Sequence, residues 1–244
     1  MSLMQKLRRG FGLDGIQGLK AANAYNLWSS DYDHQPDNLM LHLDNIVFKE
    51  LLGSLTINNK NIVDFGCGTG RHWDKIFSGD PQEITGVDIS EGMLSILKNK
   101  YPSASVYKIN DNLLTKIETE TVDIIVCTLT IAHVKNINEL FESWFRILKN
   151  GGDLIVTDFH PQLLNNGGKR DFKLSGKNIT IKNYIHMIEE VEAIAIANDF
   201  IQVNKLEKFI NEDVRSFYEK QNALHIYQHF VGMPVIYGMH LKKL

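Results

Sequence analysis

The sequence predicts an α/β fold: a mostly parallel, doubly wound sheet of seven strands with helices on both faces. Three observations predict it. Between Asn61 and Asp158 short apolar runs alternate with helical stretches, a spacing that demands parallel pairing through right-handed crossovers. Two late apolar strands, near residues 201–209 and 233–242, are available to close the sheet, the last as an antiparallel member. The length of 244 residues suits one sizeable domain with an elaborated cap and is short for two.

Taken in order, residues before Leu55 read as helical. An apolar stripe through Leu39, Leu43, Ile46, Val47 and Leu51, broken only at Glu50, follows an aromatic cluster of Tyr25, Trp28 and Tyr32. Ile62-Val63-Asp64-Phe65 is a buried strand, followed by glycines and a helix over residues 71–77. Ile84-Thr85-Gly86-Val87-Asp88 is a second strand, and Ser90 caps the next helix. Strands follow at residues 105–109 and 122–128, then a helix over 137–148 that stops at Asn150-Gly151-Gly152, then a fifth strand at 153–158. After Pro161 the loop Asn165-Asn166-Gly167-Gly168 leads into a hairpin, 171–174 and 178–182, joined by Ser175-Gly176-Lys177. This hairpin interrupts the sheet order and reads as an insertion over about residues 160–186, with a helix over 184–198 after it. The expected organisation is an N-terminal helical lid, residues 1–40, ahead of one ligand-binding domain, residues 41–244.

Composition narrows the function. Hydrophobic residues make up 43% and charged residues 23%, an ordinary globular balance. The net charge of −3 argues against a nucleic-acid partner, and Lys6, Arg8, Arg9 and Lys20 suit a solvated face. The two cysteines, Cys67 and Cys127, have no metal-ligand spacing; no metal is expected, and a reducing, cytoplasmic setting is. No apolar run reaches the ~18 residues that would cross a bilayer, and Gly10, Gly12, Gly15 and Gly18 stand where a signal core would be, so neither membrane nor secretion is expected.

The chemistry concentrates in Val63-Asp64-Phe65-Gly66-Cys67-Gly68-Thr69-Gly70, between a strand and a helix. Glycines there let the backbone turn sharply and approach a ligand without a Cβ in the way. The spacing is G-x-G-x-G, not the G-x-G-x-x-G of dinucleotide binders, and the Lys-Ser/Thr ending of a P-loop is missing. Asp88 closes the second strand, where a carboxylate accepts from both hydroxyls of a ribose. Together they imply a ligand with an adenosine-like sugar and no phosphate.

These motifs resemble those of the class I S-adenosylmethionine-dependent methyltransferases, particularly the small-molecule group that includes the ubiquinone and biotin pathway enzymes. Five segments occur in the family's order: residues 63–70, Gly86-Val87-Asp88-Ile89-Ser90, Asn110-Asp111-Asn112, Val122-Asp123-Ile124-Ile125-Val126-Cys127, and Leu148-Lys149-Asn150-Gly151-Gly152-Asp153-Leu154. The resemblance covers residues 41–158 well and the rest loosely. It implies a Rossmann-like sheet, S-adenosylmethionine as cofactor and methyl transfer to a small molecule. It further implies that the turn Gly66, Cys67, Gly68, Gly70 passes beneath the methionine and ribose portions. Asp64 would anchor that turn and help hold the amino group, Asp88 would take the ribose hydroxyls, and Ile89 would pack on adenine. Asp111 and the Asn112 N–H would meet the adenine edge, and the Cys127 carbonyl would face the methionine amine.

Other positions admit two readings. Asp111 also suits a turn. Cys127 as a small buried hydrophobe is the default, with no paired base visible. Arg71 could belong to the site or to the first helix turn. His133, in the loop after the fourth strand, is either a general base or a structural histidine. Tyr25, Trp28 and Tyr32 form either a lid or ordinary core, and Tyr184 and His186, opening the helix after the insertion, either contact substrate or pack. The Cys-Thr-Leu-Thr strand end lacks the Asn-Pro-Pro-Tyr pattern of amino-group DNA methylases, which favours a small acceptor. The alternatives are a non-catalytic S-adenosylmethionine sensor and a nicotinamide-dependent oxidoreductase, the latter disfavoured by the glycine spacing. Acceptor identity and oligomeric state are left open.

Overall fold

A computed structural model describes residues 16–174 and 177–244. The segment ahead of the sheet comes first, the cap β1 (Ile16–Leu19) and α1 (Ala21–Trp28), then α2 (Leu39–Leu52), which lies on the sheet. The sheet-forming run is β2 (Asn61–Phe65), α3 (Trp73–Phe77), β3 (Glu83–Asp88), α4 (Glu91–Lys100), β4 (Ser105–Lys108), β5 (Val122–Thr128), α5 (Ile137–Ile147) and β6 (Leu148–Phe159). Then come α6 (Pro161–Asn165), the hairpin β7 (Asp171–Leu174) and β8 (Lys177–Ile181), α7 (Ile188–Ala197), β9 (Phe200–Phe209), α8 (Arg215–Lys220), α9 (Leu224–Phe230) and β10 (Pro234–Lys243). Seven strands form one sheet in the order β4-β3-β2-β5-β6-β10-β9, with β10 antiparallel to both its neighbours and the other pairings parallel.

Strand periodicity feeds two cores. In β2 and β5, Ile62, Ile124 and Val126 face one side while Val63, Phe65, Ile125 and Cys127 face the other. The first face is covered by α2 through Val47, Phe48 and Leu51, and by Trp73, Ile76 and Leu97. The second is covered by α5 and α7, through Leu140, Phe141, Trp144 and Val191. The buried positions of α5, Ile137, Leu140, Phe141, Trp144 and Ile147, recur at i, i+3, i+4, i+7, and Asn136 caps its start by accepting from the Glu139 N–H. Ser90 caps α4 as expected, accepting from the Met93 N–H.

Several expectations are corrected. The stretch before Leu55 is not uniformly helical: β1 is a strand that pairs in parallel with β8, so the inserted hairpin becomes a three-stranded sheet, β1-β8-β7. A hairpin has a free edge with unpaired N–H and C=O groups, and β1 satisfies it. The stripe of α2 is rotated, because Ile46 is 38% exposed while Asp44, Phe48 and Leu52 are buried beside Leu43, Val47 and Leu51. The helix expected from Arg71 begins at Trp73. The fifth strand begins at Leu148, with the glycine pair inside it; the register against β5 slips between Leu148 and Asp153, and Gly151 at φ +72° takes the kink. The helix expected from Tyr184 begins at Ile188, and α8 and α9 fill a stretch for which no element was expected. Residues 1–15, with Gly10, Gly12, Gly15 and the basic Lys6, Arg8 and Arg9, lie outside the described residues, as does Ser175-Gly176. Among the described residues no helix is long and apolar enough to cross a membrane.

Candidate active site

Strand order reverses between β2 and β5, and a crevice opens there at the carboxyl ends of the strands, the place where open α/β sheets bind ligands. The crevice spans about 590 Å³ of space that includes open solvent. Phe65, Gly66 and Gly68 line it after β2, Asp88 and Ile89 after β3, Ile109 and Asn112 after β4, and Thr128, Leu129, Thr130 and His133 after β5. Tyr25 and Tyr32 face it from the cap.

The glycine turn has two distinct demands. Gly66 sits at φ +72°, and a Cβ there would lie 2.3 Å from Thr130 Oγ1. Gly68, at φ +53°, has nothing within 4 Å of its virtual Cβ, so that position leaves room for a ligand. Gly70 and Cys67 stay out of the lining. Gly70 packs on Leu97 and Trp73, and the Cys67 thiol lies against Gly86. Gly66→Ala combines a clash with a left-handed backbone and should cost about 2 kcal/mol, read from urea unfolding. An unchanged midpoint would show that Thr130 gives way.

Asp88 ties the turn to the third strand. One carboxylate oxygen accepts from the Gly68 N–H at 2.9 Å and the other from the Ser90 N–H at 2.7 Å. Burial raises its carboxyl despite those donors. Asp64 is buried behind the turn and accepts from the Trp73 indole N–H at 2.7 Å; burial pushes it up to about 7. Asp111 accepts from the Leu113 N–H, a turn, and is outside the lining, whereas Asn112 is within it. Cys127 is buried without reaching the cavity. The strand end that does line it carries Leu129 in a left-handed conformation at φ +52°, its N–H donating to the Thr157 carbonyl.

The cap is built from aromatics. Tyr25 and Tyr32 line the cavity, while Trp28 stacks on Phe172 of the inserted hairpin at 4.7 Å and anchors the cap there. Tyr184 and His186 are not brought to the main cavity. The Tyr184 N–H donates to the Ala132 carbonyl and His186 Nε2 to the Val134 carbonyl, so both bind the turn after β5 and border a smaller hollow beside Asp158 and Tyr237.

Two buried polar networks had no reading in the sequence. Asp44, fully buried on α2, accepts from Arg71, His72 and Thr157. This places Arg71 in a structural contact rather than in the cavity lining. Arg170, just before β7, pairs with Asp158 at the end of β6 and reaches Tyr25 and His133. Burial and Arg170 hold the His133 imidazole well below its ordinary range, so it is neutral. The one signal for these networks was a carboxylate at a strand end, Asp158, which nothing local distinguishes from Asp123, whose partners are the surface Lys60 and Lys149. Among the described residues no group of His, Cys, Asp or Glu is placed to hold a metal.

His72 gives a pH test. Burial and Arg71 push its imidazole down to about 4. The unfolded imidazole takes a proton near 6.5 and the buried one does not until about 4, so acid favours unfolding across that interval. This share of stability should fall by about 1.4 kcal/mol per pH unit. His72→Gln should flatten that limb in urea titrations from pH 7 to pH 4.5; parallel curves for the two proteins would refute it.

Comparisons with known proteins agree with this geometry. The profile of the methyltransferase domain family matches residues 63–156. An uncharacterised methyltransferase of Emericella nidulans is 27% identical over 82% of this chain and 84% of its own. A ubiquinone biosynthesis O-methyltransferase of Coxiella burnetii is 30% identical over 48% of this chain, which spans about half (51%) of that relative's length. The solved structure of an S-adenosylmethionine-dependent methyltransferase from Mesorhizobium loti superposes with a TM-score of 0.61, at 17% identity, over 80% of this chain and 97% of its own.

Proposed function

We propose that this chain, whose residues 63–156 match the methyltransferase domain profile, is a class I S-adenosylmethionine-dependent methyltransferase that methylates a small molecule held between the end of β5 and the Tyr25–Tyr32 cap. One observation carries the cofactor half: Asp88 lines the cavity with one lone pair of each oxygen committed to the turn, and Gly68 beside it leaves open space. That cradle fits a ribose and the chain of a methionine.

In this reading Asp88 accepts the ribose hydroxyls, Ile89 and Ile109 pack on adenine, and the Asn112 N–H meets its edge, with Asp111 shaping the turn that presents it. Gly66 and Gly68 lie under the methionine chain. The Thr128 carbonyl, ending β5 on the cavity wall, faces its amine, and Asp64 acts on that amine through water. Bound S-adenosylmethionine supplies a methyl group already activated as a sulfonium, so the protein has chiefly to align an acceptor and exclude water. Tyr25 and Tyr32 close the mouth, and Phe65, Leu129 and Val134 give the floor an apolar character.

A small acceptor is favoured because among the described residues no lysine or arginine lines the cavity and the chain carries a net −3 charge, a poor match to a phosphate backbone. Likeness to an O-methyltransferase makes phenolic and alcoholic oxygens the first acceptors to try. The buried, unpaired thiols of Cys67 and Cys127 suit a reducing, cytoplasmic setting. The test is calorimetric titration with S-adenosylhomocysteine, then transfer of a tritiated methyl group to a library of small acceptors. Binding with turnover of at least one small molecule is expected. No binding would sink the cofactor site, and labelling confined to protein or nucleic acid would sink the small acceptor.

A further inference from the structure

Hydrogen counting at the acceptor wall singles out one side chain. The Arg170 guanidinium is 4% exposed, paired with the 1% exposed Asp158 and stacked on the Phe159 ring at 4.3 Å. Its Nη1 carries two hydrogens and faces three acceptors: the Leu129 carbonyl at 2.5 Å, His133 Nε2 at 2.5 Å and the Tyr25 hydroxyl at 3.5 Å. The two near partners take both hydrogens. His133 Nδ1 faces the Lys182 carbonyl at 3.4 Å. A carbonyl cannot donate and a guanidinium cannot accept, so Nδ1 carries the hydrogen and the single lone pair of Nε2 goes to Arg170. Tyr25 lies 2.9 Å from that nitrogen but finds its lone pair taken. Among the described residues its O–H hydrogen is therefore unclaimed, on a side chain that lines the cavity.

We infer that Tyr25 contacts the acceptor, its hydroxyl donating a hydrogen bond to an uncharged oxygen or nitrogen of that molecule, and that Arg170 is the positioning residue that keeps this hydrogen free by occupying His133. The inference rests on the methyl-transfer reading above. The acceptor is neutral at the contacted atom because Asp158 cancels the charge of Arg170 behind the wall and no cation among the described residues lines the cavity. Burial pushes the Tyr25 hydroxyl up, which keeps it a donor. His133, with its lone pair engaged, holds the wall in place and takes no proton from the acceptor.

The test combines binding, kinetics and nitrogen NMR on the full chain. In ¹⁵N-histidine spectra, assigned with His133→Gln, His133 should show a protonated Nδ1 and a bare, hydrogen-bonded Nε2; a protonated Nε2 overturns the assignment whatever the acceptor. Turnover is read with tritiated S-adenosylmethionine on neutral phenols and alcohols against their matching carboxylates and phosphates, and the neutral members should be preferred. With the best of them, Tyr25→Phe should raise KM about fivefold, the loss of one hydrogen bond, while leaving kcat and S-adenosylhomocysteine affinity within about twofold. Removing the buried pair together, Arg170→Met with Asp158→Leu, avoids an orphaned charge. In that background Tyr25 turns to His133 and Tyr25→Phe should no longer change KM; in Arg170→Lys, with Asp158 kept, Tyr25→Phe should retain part of its effect. Anionic acceptors turning over best, or Tyr25→Phe weakening S-adenosylhomocysteine binding with KM unchanged, would overturn the inference. Wild-type protein that does not bind S-adenosylhomocysteine at all would instead break the underlying reading.

Discussion

Asp88→Ala is expected to weaken S-adenosylhomocysteine binding at least tenfold by calorimetry. The substitution removes charge-assisted hydrogen bonds to the ribose, worth roughly 1.5–3 kcal/mol, or about 10–150-fold in Kd. A second loss adds to the first. The Gly68 and Ser90 N–H groups now donate to this carboxylate, and without it the glycine turn loses its tie to β3. Asp88→Asn separates the two losses. The amide retains one accepting oxygen, so it should fall between the wild type and alanine. Affinity unchanged in Asp88→Ala would show that the sugar binds elsewhere.

Asp44→Ala should produce the largest loss of stability, about 3–5 kcal/mol, the cost of leaving a buried charge without its partner. For a chain of this size that lowers Tm by roughly 6–20 °C. Asp44 has no exposed surface and accepts from Arg71, from His72 Nε2 at 2.8 Å and from Thr157. Burial opposes its ionised form, but Arg71 and His72 outweigh burial and hold its carboxyl well below the usual carboxylate range. The folded value lies below the unfolded one, so this contribution is complete above the ordinary carboxylate pKa and fades only in stronger acid. Replacing the pair together, Asp44→Leu with Arg71→Met, should recover part of the loss. A change under about 1 kcal/mol in Asp44→Ala would mean that Arg71, 19% exposed, finds water instead.

The wall of the crevice formed after β2 and β3 was legible because its residues are neighbours in sequence. Gly66 and Gly68 lie in one turn, Asp88 and Ile89 end the next strand, and the alternation of apolar runs with helices says that those strands are adjacent and parallel. The stop at Asn150-Gly151-Gly152 was misread for a local reason: glycines after a helix end it or kink a strand equally well, and only pairing with β5 distinguishes the two. Tyr184 and His186 fall in the helix expected over residues 184–198, which begins only at Ile188. Their bonds to the Ala132 and Val134 carbonyls keep that segment extended.

By itself the sequence determined the sheet, the glycine turn after β2, and the carboxylate beside it, all written in spacings of a few residues. Tertiary structure alone decided which side chains meet behind the cavity wall. Arg170 meets Tyr25 from 145 positions away, and Thr157 meets Asp44 from 113. The reason is physical: a buried charge must be paired wherever the chain can bring a partner, and this demand selects partners by distance in space, which no local pattern of residues encodes.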